Sequence, residues 1–238
     1  MFEYVDKIKL LIDKLSLEQK DQLISASKMV ADVIMKDGIV HTLGTGHSQM
    51  VGMELFGRAS NIANVNAIMD DLVLLASGAR RSAEIEQISG LSEILWNKYL
   101  FKKSDLIIII SNSGRNALPL EMAMKAREEG IKIIAITSLE QTKKYDSRHK
   151  SGKKLYQIAD LVIDNCVPSG DGVINIGDHL IGPASSVLGI MIVNIISTEA
   201  IKINLKRGIS VPIFKSQNID ENENDEIYKK FESRIKHL

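Results

Sequence analysis

Apolar residues at the start of the chain, Phe2, Val5, Ile8, Leu11, Ile12 and Leu15, recur every three or four positions and predict a helix. Ser16-Leu17-Glu18-Gln19 then reads as a capping box, with Ser16 and Gln19 placed to satisfy the free amides of a second helix. That helix carries Leu23, Ala26, Val30, Val33 and Ile34 on one stripe, runs to about Lys36 and is stopped by Gly38. Beyond Gly38, short apolar runs alternate with longer helical stretches. Strands are predicted at Ile39 to Leu43, Asn64 to Ile68, Leu106 to Ser111, Lys132 to Thr137 and Leu161 to Asp164. The run Leu106-Ile107-Ile108-Ile109-Ile110 has no polar alternation, the pattern of a strand buried on both faces. Helices are predicted at Gln49 to Ser60, Ser82 to Tyr99, Leu118 to Glu129 and Lys154 to Ile158, and a long apolar one from Pro183 to Arg207.

Strands separated by helices imply right-handed crossovers, so the fold class is α/β: a mainly parallel five-stranded sheet covered on both faces, preceded by N-terminal helices. Residues 1–37 are expected to be a helical extension packing on the core, 38–214 the main domain and 215–238 a polar tail. Within the tail, Asn218 to Asp225 reads as an acidic surface loop and Ile227 to Ile235 as a short amphipathic end.

Composition narrows the function classes. The 238 residues balance 30 Lys+Arg with 30 Asp+Glu, only 5% are aromatic, and there is one cysteine. Neutral charge and few rings argue against a nucleic-acid partner, and the N-terminal helices intersperse acids with their lysines, which disfavours a DNA-reading helix pair. Cys166 has no partner for a disulfide and fits a reducing cytosol. Acids near Met1, where a signal peptide carries basic residues, point to a cytoplasmic protein. The most apolar stretch, Val187 to Ile196, contains Gly189 and Asn194 and falls short of the ~18 apolar residues of a membrane span, so no membrane partner is expected.

In a doubly wound sheet, ligands bind beyond the carboxyl ends of the strands. One such end is Gly44-Thr45-Gly46-His47-Ser48, leaving a strand and opening a helix. Its glycines permit a tight turn, and the helix start favours an anion. A dinucleotide fingerprint fails because Gln49 stands where a third glycine is required, although Asp70 lies at the distance of a ribose-binding acid. A Walker motif is absent too, and no cofactor is called for. The second end is Ser111-Asn112-Ser113-Gly114-Arg115-Asn116, a cradle of hydroxyls and amides suited to a phosphate monoester. Thr137-Ser138 adds hydroxyls on the same edge.

Gly44-Thr45-Gly46-His47-Ser48 followed by Ser111-Asn112-Ser113-Gly114 resembles the SIS (sugar isomerase) domain, over about Ser16 to Arg207. The whole chain is most similar to stand-alone bacterial SIS proteins described as sugar or phosphoheptose isomerases. The resemblance implies a three-layer flavodoxin-like sandwich, a homodimer or homotetramer with sites near the interface, and a sugar phosphate held by Ser48, Ser111, Ser113 and position 116. Many family members carry Thr or Ser where this chain has Asn116.

Aldose–ketose isomerisation through an enediolate needs a base and a second proton-handling group. Glu54 is the candidate base, in a segment similar to that carrying a catalytic glutamate in phosphoheptose isomerases; the structural alternative is an i,i+4 pair with Arg58. His149, in a basic loop able to fold over an anion, is the candidate second group. His47 is expected near the ligand, His41 to be structural, His179 to approach from a neighbouring subunit and His237 to lie in the tail. No paired metal-ligand spacing occurs, so no metal is expected, and Cys166 reads as a buried thiol. The leading function is a phosphosugar isomerase. The alternative is a non-catalytic phosphosugar sensor, and ether cleavage by elimination stands third.

Overall fold

Five parallel strands, β1 (Val40–Gly44), β2 (Val65–Ala67), β3 (Leu106–Ile110), β4 (Lys132–Thr137) and β5 (Leu161–Asp164), pair in the order β2-β1-β3-β4-β5. The computed structural model describes residues 2–220 and 223–238; the expected loop from Asn218 to Asp225 therefore lies partly outside the described residues. All five strands stand where the apolar runs predicted them, and the α/β class and parallel sheet are as expected. The isoleucine run explains why β3 is central. Leu106, Ile108 and Ile110 enter one core cluster, Ile107 and Ile109 the cluster on the opposite face, and every one is buried. Each such side chain contributes roughly 1.5–3 kcal/mol by leaving water.

The first core layer is built by α1 (Glu3–Glu18), α2 (Lys20–Met35), α3 (Ser48–Glu54) and, later in the chain, α8 (Ser185–Lys206). The hinge between α1 and α2 falls at Gln19, not at Ser16, and the expected capping box does not form. Instead the Gln19 side-chain oxygen accepts the Asp164 amide at 3.0 Å, so the chain turns where a tertiary contact holds it. The opposite layer holds α4 (Ala79–Ile85), α5 (Leu91–Asn97) and α6 (Ala117–Glu128), followed by the short α7 (Leu139–Lys144) beyond β4. Only one helix was expected across Ser82 to Tyr99. Gly90, at φ 94°, breaks it into two, a conformation that glycine adopts without steric cost.

After β5 comes a hairpin that the apolar pattern did not suggest, β6 (Gly172–Ile176) and β7 (His179–Pro183). Asp171 accepts the Ala184 and Ser185 amides at 3.1 and 2.7 Å and the Ser185 hydroxyl at 2.8 Å. It thereby starts α8 (Ser185–Lys206) two residues later than Pro183. By length and composition α8 could cross a bilayer. In this fold its buried side packs on α2 and α3, with Gly189 so near Val51 that a Cβ would meet Val51 Cγ2 at 2.7 Å. The chain ends in α9 (Asp225–Phe231), whose Phe231 joins Ile39, Ala63, Phe214 and Ile235 in a third cluster.

Candidate functional site

Gly44 and Ile110 are register partners at the carboxyl ends of β1 and β3, so the loops that follow them emerge side by side. A Cβ on Gly44 would lie 2.3 Å from the Ser48 carbonyl oxygen, so only glycine lets the first loop fold back into α3. Between the two loops opens a cleft of about 310 Å³, walled by Thr45, Gly46, His47 and Ser48 on one side and Ser111, Asn112 and Ser113 on the other. Ala79, Ala83 and Glu86 from α4 and its C-terminal end close a third side, and Gln141 of α7 reaches in. A larger cavity of about 410 Å³ lies among Lys36, Lys103, Lys132 and Asp160, at the amino ends of the strands. The carboxyl-end cleft is the one at the position where doubly wound sheets take ligands.

Polar groups around the cleft divide into engaged and unengaged. Thr45 Oγ1 donates to Glu86 Oε2, and Asn116 Nδ2 donates to Glu86 Oε1 at 2.6 Å. Arg148 in turn donates to Asn116 Oδ1 at 3.2 Å, and the Leu118 amide, in the first turn of α6, donates to the Glu86 carbonyl at 3.0 Å. Glu86 is thus fixed by backbone and side chain alike. Burial pushes its carboxyl above the ordinary range, and the bonds from Thr45 and Asn116 and the charge of Arg148 oppose that without cancelling it. Ser82 steadies the same wall by accepting the Gly46 amide at 3.3 Å while donating to the Val73 carbonyl at 3.1 Å. By contrast, the Ser48 and Ser113 hydroxyls make no hydrogen bond among the described residues. Ser111 Oγ accepts the Gly114 amide at 3.1 Å and keeps its proton to donate.

Thr137 and Ser138 are fully buried and support the second loop from beneath. Thr137 Oγ1 and the Ser138 amide both donate to the Asn112 carbonyl, at 3.2 and 3.1 Å, while Ser138 Oγ donates to the Val167 carbonyl at 2.6 Å and caps α7. The Asn112 side chain is itself held by Asn165 at 2.8 Å.

Neither expected proton-handling group lines this cleft. Glu54, at the far end of α3, accepts from Asn194 Nδ2 at 3.2 Å and pairs with Arg58 at 3.4 Å, the i,i+4 arrangement. His149 is buried against α6, with Nε2 3.3 Å from Glu121 Oε1 and Nδ1 2.8 Å from Ser151 Oγ. Of the basic loop, it is Arg148 whose side chain reaches the rim of the site. His41 is enclosed in the sheet with Asp105 and Asn66. Asp70 pairs with Lys98 at 2.6 Å and caps the Leu72 amide, which accounts for it without a ribose. Burial pushes the Cys166 thiol up to about 11, so little thiolate forms near neutrality. Among the described residues no His, Cys, Asp and Glu cluster could hold a metal ion. Glu86 escapes the sequence pattern because an acid in a predicted helix, two positions after Glu84, reads as a solvated surface residue. The only available signal was Gly90, which marks the break that turns the end of α4 toward α6.

A doubly wound parallel sheet with hydroxyl-bearing loops at the carboxyl ends of adjacent central strands defines an α/β small-molecule-binding fold. A family model described as SIS domain matches residues 3–138, and the chain belongs to that family. It is 37% identical over 246 aligned residues to a UPF0309 protein of Thermoanaerobacter pseudethanolicus, covering 100% of both chains. A UPF0309 protein of Caldanaerobacter subterraneus is 37% identical over 99% of this chain and 98% of its own. Among solved structures, phosphoheptose isomerase from Neisseria gonorrhoeae aligns with a TM-score of 0.55 at 17% identity, over 85% of this chain and 95% of that one. The Vibrio vulnificus NanR protein complexed with ManNAc-6P aligns with a TM-score of 0.54 at 11% identity, over 86% and 63%. At these identities the likeness is one of fold.

Proposed function

We propose that the carboxyl-end cleft binds a sugar phosphate and that the protein is an aldose–ketose isomerase acting through an enediolate. The observation that carries the reading is the convergence of Ser48 and Ser113, both with unengaged hydroxyls, on one cleft beside the start of α6. A phosphate offers many acceptor oxygens, and hydroxyl donors, loop amides and a helix start are the groups that complement them. Thr45 and Asn116 already donate to Glu86, so the phosphate takes the Ser48, Ser111 and Ser113 side with Gly46 and His47, and the sugar extends toward Glu86. The family and a fold shared with a phosphoheptose isomerase and with a protein complexed with ManNAc-6P support the same substrate class. The reading includes a cytoplasmic homodimer or homotetramer, supported by Met50 and Met53 on α3 and Val187 on α8, which leave apolar surface exposed near the cleft.

The second reading is a binding protein without chemistry. It is favoured by the engagement of Glu54 and His149 in structural contacts away from the cleft. A thermal-shift panel of sugar phosphates and their unphosphorylated forms tests the binding step, because a ligand that binds only the native state raises Tm. Only phosphates should stabilise. Ser113→Ala should weaken binding by roughly 10- to 100-fold, the loss expected for a hydrogen bond to a charged group worth about 1.5–3 kcal/mol. Equal shifts with unphosphorylated sugars, or undiminished binding in the variant, would remove the phosphate from this site.

A further inference from the structure

We infer that Glu86, and not Glu54, is the general base of the cleft. The inference rests on sugar-phosphate binding in that cleft. Its geometry stands without the ligand. Glu86 lines the opening, both its carboxylate oxygens are fixed by neutral donors, Thr45 from the loop after β1 and Asn116 at the start of α6, and its carbonyl is tied to α6. A carboxylate oxygen accepts more than one hydrogen bond, so one donor on each leaves lone pairs for a substrate proton. Among the described residues, the charged side chain that bears on it is Arg148, from the loop after α7, bonded to Asn116. Burial strengthens the base and no directly bonded cation quenches it, the conditions that tune a carboxylate toward proton transfer.

The step balances within the protein and substrate. Glu86 takes the proton from the carbon next to the carbonyl of the open-chain sugar phosphate. The C–H electron pair becomes the C=C bond of the enediolate, and the carbonyl π pair moves to oxygen. Return of the proton to the neighbouring carbon, with the hydroxyl proton passing from its oxygen to the one formed from the carbonyl through solvent water, gives the other isomer, with no oxidant or reductant. While bound to Glu86, the proton can exchange with solvent.

The experiment follows loss of the carbon-bound proton signal of fructose 6-phosphate, ribulose 5-phosphate and sedoheptulose 7-phosphate in deuterated water, with Tm shifts measured on the same compounds. At least one ketose phosphate should exchange with the native protein. Glu86→Gln should lower that exchange by at least about 100-fold, the lower end of what a positioned base supplies, with the phosphate-dependent Tm shift retained. Glu54→Gln should exchange at near the native rate. Thr45→Val removes a donor that favours the charged form, so the acid limb of the rate should move to higher pH, a change that a purely structural role would not produce. Exchange that survives Glu86→Gln, a shift without exchange in the native protein, or loss of exchange confined to Glu54→Gln overturns the assignment of Glu86. Absence of any phosphate-dependent shift overturns the binding reading beneath it.

Discussion

Glu86, half-buried at the carboxyl end of the sheet, and Asp105, buried at its amino end, have carboxyls that move in opposite directions. At the amino end Asp105 accepts the Ile39 amide at 2.9 Å, the Lys102 amide at 2.7 Å and the Arg234 guanidinium at 2.7 Å, and lies 3.3 Å from His41 Nε2. Burial alone would push it up, yet the bonds from His41 and the Ile39 amide overcome that and hold it below the ordinary carboxylate range. Glu86, with two neutral donors and a cation acting through Asn116, ends above the range instead. Burial is common to both; the number and charge of partners decides the sign. The first arrangement makes a fixed anion that anchors the C-terminal tail, and the second makes the charged form of the carboxyl less favoured.

The largest expected effect comes from breaking the amino-end cluster. Asp105→Asn leaves Arg234, 14% exposed at its side chain, without its anion. A loss of about 3–5 kcal/mol in urea unfolding is expected, the usual cost of stranding one member of a buried pair. A loss below ~1 kcal/mol would mean that the tail is held by its apolar cluster alone. Acidification probes the same lock. Asp105 has a folded-state pKa below its unfolded one, so its contribution is complete above the unfolded value and is lost as pH falls through the folded one. His41, pushed down by burial against the pull of Asp105, acts in the same sense, because the unfolded chain binds its proton more readily. Stability should therefore decline from the range of a free histidine down through that of a lowered carboxyl, and the lower part of the decline should flatten in Asp105→Asn.

The two ends also differ in how far the sequence disclosed them. All five strands, and both loops that wall the cleft, follow from apolar runs and glycine-hydroxyl clusters, because these are local signals. The β6–β7 hairpin had one too, the Gly177-Asp178 pair between alternating apolar residues, with Gly177 at φ 56°. Its strands are largely exposed and lack the continuous apolar run that marked β3. The partners that set the two carboxyls are not legible in the sequence. Glu86 and Asn116 meet across 30 positions and Asp105 and Arg234 across 129, and no periodicity encodes either meeting. Conversely, motif and loop charge point to Glu54 and His149, and only packing shows Asn194 beside the first and Glu121 beside the second.

The smallest effect separates the two acids most cleanly, because it reverses sign. A carboxyl whose folded-state pKa lies above its unfolded one contributes stability below the unfolded value, and that contribution is lost as pH rises through the folded one. Above that window the native state carries a buried charge that the unfolded chain would hold in water. Glu86→Gln keeps the shape and removes the charge, so at neutral pH the variant should be slightly more stable than the native protein, with the gain shrinking as pH falls. Melting curves at neutral pH and at mildly acidic pH measure it. A site whose mutation impairs turnover while raising Tm is one where stability has been given up for chemistry. If Glu86→Gln instead destabilises at neutral pH, its bonds to Thr45 and Asn116 outweigh the buried charge, and Glu86 belongs with Asp105 as a structural anion.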